Sequence, residues 1–105
     1  MNRNFVCTKR NNLKKSAHKR LLDFKLNRYQ IQRLLSNPVC HFCSVFCSLE
    51  MTGGVHKEDS FTFERLNPVI GYVPGNVVVA CCRCNNKKSV MDQIIVENRY
   101  NLLRN

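Results

Sequence analysis

The 105-residue sequence has no apolar run of about 18 residues, the length needed to span a bilayer; its longest, Val77 to Cys82, is the length of a buried strand. No membrane association is expected. Met1 to Arg10 is polar and basic with no apolar stretch behind it, which is unlike a secretory signal and predicts a reducing, cytoplasmic setting. Internal repeats and low-complexity tracts are missing, which excludes a solenoid. No heptad pattern is present either, so nothing selects a dimer over a monomer. The first third of the chain lacks acid most of all. Up to Ser36, Asp23 stands alone against ten Lys and Arg residues, whereas the remainder is nearly balanced, with seven basic and six acidic residues. A positive block on a neutral body favours a polyanionic partner, either nucleic acid or the acidic surface of a larger nucleoprotein machine.

At this length an apolar core is thin, and a staple is expected. Seven cysteines are present, and four form two C-x-x-C pairs, Cys40-Cys43 and Cys81-Cys84, separated by thirty-seven residues. Two thiolates on one tight turn can reach one ion, so the spacing predicts a structural Zn²⁺ rather than a disulfide framework. Four thiolates leave no open coordination position, so this zinc folds the chain without performing chemistry. Cys47 offers an alternative partner for Cys43, and Cys82, His41 and His56 remain alternative ligands.

From Leu13 to Leu35 the apolar residues Leu13, Ala17, Leu21, Phe24, Ile31 and Leu35 recur at helical spacing, which predicts one basic amphipathic helix ended by Asn37-Pro38. Lys14, Lys15, Lys19, Arg20 and Lys25 fall off that stripe and are candidate nucleic-acid contacts. The stripe is too poor in large apolar residues, and too interrupted by Arg28, for a membrane-surface helix. Thr52-Gly53-Gly54 reads as a turn, Phe61 to Leu66 as a strand, Val73 to Asn76 as a second turn and Val77 to Ala80 as the paired strand. Asn85 to Lys88 begins a short helix, and Ser89 caps a further helical pattern to the C-terminus. The fold class is therefore α+β. Residues 1–37 form a basic helical segment and 38–105 a zinc-binding body, together one compact unit.

The segments Glu64-Arg65-Leu66-Asn67-Pro68, Gly71-Tyr72, Asn76 to Cys81 and Cys84-Asn85-Asn86-Lys87-Lys88 resemble zinc-containing HNH endonucleases, and the small phage and mobile-element members in particular. Asn76 stands five residues before the third cysteine and Asn85 directly follows the fourth, as in that family. The resemblance covers residues 40 to 90. It implies a ββα-metal fold in which Glu64 and Asn85 ligate a catalytic Mg²⁺ or Mn²⁺, Asn76 braces the loop, and Arg83, Lys87 and Lys88 meet DNA phosphates. A carboxylate and an amide oxygen are hard donors suited to such ions. It also implies a bacterial host cytoplasm.

One position departs from the pattern. Where the family carries a general-base histidine this chain has Arg65, which stays protonated and cannot accept a proton. Arg65 would then bind the scissile phosphate, with Tyr72, His56 or a water at the cation handling the proton. Plainer roles stand beside these: Glu64 as a carboxylate paired with Arg65 or Lys88, Asn85 as a helix cap or a donor to a thiolate, Asn76 as a turn residue, and Tyr72 as packing against the zinc module. The functions that follow are a metal-dependent DNA endonuclease, an inactive HNH-derived module that binds nucleic acid or a nucleoprotein machine as an accessory or regulatory factor, and an adaptor whose basic helix docks on an acidic protein partner.

Overall fold

A computed structural model describes residues 2–49 and 57–88 of the chain. The predicted turn at Thr52-Gly53-Gly54, His56, the Ser89 cap and the C-terminal helix lie outside those residues. Helix α1 (Arg3–Lys19) starts where the Asn2 side chain accepts from the Asn4 amide at 2.8 Å. Helix α2 (Arg28–Ser36) starts on a reciprocal capping box between Asn27 and Gln30. Strands β1 (Phe61–Arg65) and β2 (Val77–Cys81) pair antiparallel, with Phe61 opposite Cys81 and Arg65 opposite Val77. The chain is then helical over residues 82–88, called α3.

The single helix expected over 13–35 is two helices, because the chain reverses after Lys19. The Leu22 amide donates to the Ala17 carbonyl at 2.9 Å and the Leu21 amide to that of His18 at 3.1 Å, a Schellman ending with Leu21 left-handed at φ 57°. A leucine there gives no sequence signal of a helix end, which usually falls to glycine. Leu21, placed on the buried stripe by its spacing, is instead 94% exposed, and Phe24 bridges Tyr72 from an extended segment. Leu21→Gly should remove the strain of a branched side chain at positive φ at no packing cost and raise stability by about 1 kcal/mol, measured by thermal or urea unfolding.

The extended segment after α1 ties the helices to the loop between the strands. Lys25 donates its amide to the Tyr72 carbonyl, and Tyr72 donates to that of Asp23. Gly71 is required there, since a Cβ would collide with the Asp23 backbone. Val6, Leu13, Ala17, Leu26, Ile31 and Leu35 pack with Tyr72 and Val77 into one core, so both helices share apolar contacts with the hairpin. Val6 and Leu26 belong to this core although the polar sequence around them hid them. Tyr72 sits in this helical core and not against the cysteines. A second cluster, Cys40, Cys47, Val79, Ala80 and Cys81, surrounds the cysteine pairs.

Among the described residues no helix is long and apolar enough to cross a membrane.

Candidate metal centre and adjoining phosphodiester site

Cys40 and Cys43 ride on a tight turn whose ends are closed by a bridge between Val39 and Phe46. The Cys40 amide donates to Val45 and that of Ser44 to Cys40, with Ser44 at φ 65°. The His41 amide donates to the Val79 carbonyl at 2.9 Å and fastens this turn to β2. Cys81 ends β2 and Cys84 lies in the first turn of α3, so four sulfurs from remote segments converge with all Sγ atoms within 4.8 Å of one another.

A tetrahedral ion with Zn–S bonds of about 2.3 Å separates its sulfurs by roughly 3.8 Å. The Cys43 and Cys81 Sγ atoms are 3.7 Å apart. The donor set therefore fits a four-thiolate metal centre, and zinc suits it by size and softness. Burial opposes ionisation of Cys40, but backbone amides at Cys81, Cys43 and Phe42 outweigh it and bring its thiol down to about 6. Shared protons among neighbouring sulfurs push Cys84 up to about 12, and burial raises Cys81. Metal loading at neutral pH must displace the protons of Cys81 and Cys84, so affinity falls as pH is lowered.

The spare cysteines and His41 are not in this cluster. Cys47 is fully buried beneath it, its thiol pushed up to about 11 by burial and then by the charge of Cys40, Cys81 and Cys43. Cys82 lies apart on α3, and the exposed His41 ring contacts Phe42 edge-on at 5.2 Å.

Glu64 lies one residue before the end of β1, on the sheet face opposite Phe63. Its Oε2 is 3.9 Å from Lys88 Nζ on α3, and both side chains are 13% exposed. Asn85 precedes Lys88 by one helical turn, so the two are neighbours on the surface of α3. A groove of about 310 Å³ lined by Phe42, Cys84, Lys87 and Lys88 opens at this helix. A wider groove of about 700 Å³ runs between Leu35, Pro38, Phe46 and Asp59, but among the described residues no basic one lines it.

Arg65 donates from Nη1 to the Pro68 carbonyl and lies 5.5 Å over the Tyr72 ring. Tyr72 is only 4% exposed, so it serves as a platform for that guanidinium and is closed to a solvent-side phosphate. Asn76, 7% exposed, accepts from the Asn67 amide at 2.9 Å and donates to the carbonyls of Asn67 (3.2 Å), Ile70 (3.3 Å) and Gly71 (2.9 Å). Asn67 adds an Asx-type bond from the Val69 amide at 3.0 Å, a brace that its position before Pro68 could have signalled. Asn76→Ala should strand these backbone groups and cost about 3 kcal/mol in urea unfolding. Asn76→Asp should be about as damaging, because a carboxylate keeps the acceptor but faces three carbonyls without a donor.

Of the basic residues, Lys14, Lys15, Lys19 and Arg20 are exposed on α1 and just past its end, and Arg83 and Lys87 on α3. Lys25 is exposed too, from the connecting segment rather than a helix, whereas Lys88 is drawn inward to Glu64.

Two antiparallel strands leading into a helix, with paired cysteines tying the far end, define an HNH-like ββα fold of the zinc-bearing kind. No family model and no curated protein matches the chain in sequence. In three dimensions the chain is similar to the rare-cutting HNH restriction endonuclease PacI, at 20% sequence identity and a TM-score of 0.61, over 85% of this chain and 72% of that one. The likeness shows the HNH-like fold.

Proposed function

We propose that the chain is a metal-dependent DNA endonuclease hydrolysing phosphodiester bonds, with Zn²⁺ on Cys40, Cys43, Cys81 and Cys84 as its structural staple. Glu64 and Asn85 would hold a catalytic Mg²⁺ or Mn²⁺. The observation that carries the reading is the placement of Glu64. On an HNH-like fold, a largely buried carboxylate near the end of β1 meets α3 through Lys88, one helical turn after Asn85. Carboxylate and amide oxygens suit a hard cation, which when bound supplies Lewis-acid polarisation of the scissile phosphate and stabilises charge on the leaving oxygen.

The remaining roles belong to the chain itself. Lys88, 3.9 Å from Glu64, supplies a cation for a phosphate. Arg65, fixed by Pro68 and Tyr72, has further N–H groups with which to hold the scissile phosphate, but it accepts no proton. Asn76 is a positioning residue that keeps the loop, and with it Arg65, in register. Exposed Lys14, Lys15, Lys19, Arg20, Lys25, Arg83 and Lys87 contribute phosphate contacts that position the duplex without reading its sequence. By analogy with a DNA-cutting neighbour and with small phage proteins, the setting is a bacterial cytoplasm.

One pair of observations favours a second reading, a DNA-binding module without catalysis: Lys88 already neutralises Glu64, and Arg65 replaces a proton acceptor. Supercoiled plasmid incubated with zinc-loaded protein and Mg²⁺, Mn²⁺ or no added divalent ion separates the two. Cation-dependent nicking is the expected result. Retained DNA binding with no nicking under any condition would leave only the binding module.

A further inference from the structure

Helices α1 and α2 each begin on an arginine, Arg3 and Arg28, and neither carries an acid in its first turn. The positive end of a helix disfavours cations, so both side chains stand against the local field. Arg3, Cys7 and Arg10 recur at i, i+4 and i+7 on one face of α1. Cys7, Arg10 and Asn11 line, with Asn27 and Arg28, an open cleft of about 260 Å³ between the helices. No acid lines it. Among the described residues none of Arg3, Arg10 and Arg28 is paired with a carboxylate.

Two of the guanidinium groups are held in place. Arg10 donates from Nε to the Leu26 carbonyl at 2.7 Å and lies 5.3 Å over the Phe24 ring. Arg28 donates from Nη2 to the Tyr29 hydroxyl at 2.7 Å and stacks 4.8 Å over that ring, which is itself 64% exposed. The Tyr29 phenol is held below its ordinary value by the hydrogen bond from Arg28, then by the charge of Arg28 and, more weakly, of Arg3, so the field of Arg3 reaches the same place. Pre-ordered guanidinium groups match phosphate oxygens better than ammonium groups do, and they lose less freedom on binding.

We infer that the cleft between α1 and the start of α2 binds phosphates of the DNA backbone, with Arg3, Arg10 and Arg28 as donors and Tyr29 holding Arg28 in position. This rests on the DNA reading above and adds phosphate donors separate from Glu64 and from the lysines of α1.

The test is the salt dependence of duplex binding by the full zinc-loaded chain, followed by fluorescence anisotropy without added Mg²⁺ so that nothing is cut. Each phosphate that a variant no longer neutralises should lower the slope of log K against log salt by about 0.9. Arg3→Gln with Arg28→Gln is expected to flatten the slope by about 1.8 and weaken binding roughly tenfold or more near physiological salt, with zinc content and circular dichroism unchanged. Arg28→Lys, which keeps the charge, should retain the slope. A double variant whose slope matches the unaltered chain overturns the inference. Unaltered protein that binds no duplex overturns it together with the DNA reading, whereas protein that binds duplex here but nicks no plasmid with Mg²⁺ or Mn²⁺ refutes the nuclease alone and leaves the cleft to the slope test.

Discussion

Removal of the metal is expected to unfold the cysteine-centred half of the chain. Cys40 and Cys81 are both buried side chains of the second core cluster and candidate ligands, so taking the ion away removes the bonds that tie the Cys40 turn to the end of β2 in a core whose other buried members are the small Val79, Ala80 and Cys47. Structural zinc contributes on the order of 10 kcal/mol or more in small zinc modules, comparable with the whole stability of a domain, about 5–15 kcal/mol. Chelator treatment should therefore abolish the cooperative thermal transition, and zinc added back should restore it at one ion per chain. Cys81→Ser should do the same without chelator, because Cys81 both ends β2 and accepts the Cys84 amide at 3.4 Å. Cys47→Ala should keep full zinc stoichiometry. A chain that melts unchanged in chelator, or a Cys81→Ser protein that still binds one zinc tightly, would remove the metal from the account of the fold.

The second large effect is catalytic. Glu64→Ala should reduce plasmid nicking on the order of 10³-fold, about 4 kcal/mol of transition-state stabilisation, while duplex affinity stays within a few-fold. Asn85→Ala should fall in the same direction. Lys88→Met sharpens the result, since it removes the ammonium 3.9 Å from the Glu64 carboxylate. If Glu64 holds a cation, half-maximal Mn²⁺ concentration should fall in this variant even as maximal rate suffers from the missing phosphate donor. If Glu64 is only the partner of Lys88, Glu64→Ala should leave any nicking unchanged, and Lys88→Met should leave its Mn²⁺ dependence unmoved.

The cysteine centre was legible because C-x-x-C spacing is a local constraint: each pair meets an ion from within one turn, and only the meeting of the two turns needs the fold. The hairpin was legible for a similar reason. Val73 to Asn76 is turn chemistry between two β-branched or alternating runs, and the observed strands differ from the expected ones by a single residue at an end. The helical segment was misread because a 3.6-residue period survives a chain reversal when both helices face one core. Leu13, Ala17, Ile31 and Leu35 are all buried, but from two helices. Without a glycine at Leu21 nothing local marks the break.

By itself, then, the sequence determined the α+β class, the four converging cysteines, the hairpin and the lopsided charge, because each depends on residues close in the chain or on simple counting. Only the tertiary structure decided who meets whom. It set Lys88 on Glu64, seated Arg65 on Tyr72 and Pro68, spread Asn76 across three carbonyls, and brought Arg10 of α1 and Arg28 of α2 to one cleft. The partners in these contacts come from separate turns or elements of the chain, and their selection rests on core packing that brings Tyr72 beneath two helices, a geometry that no local pattern of residues encodes.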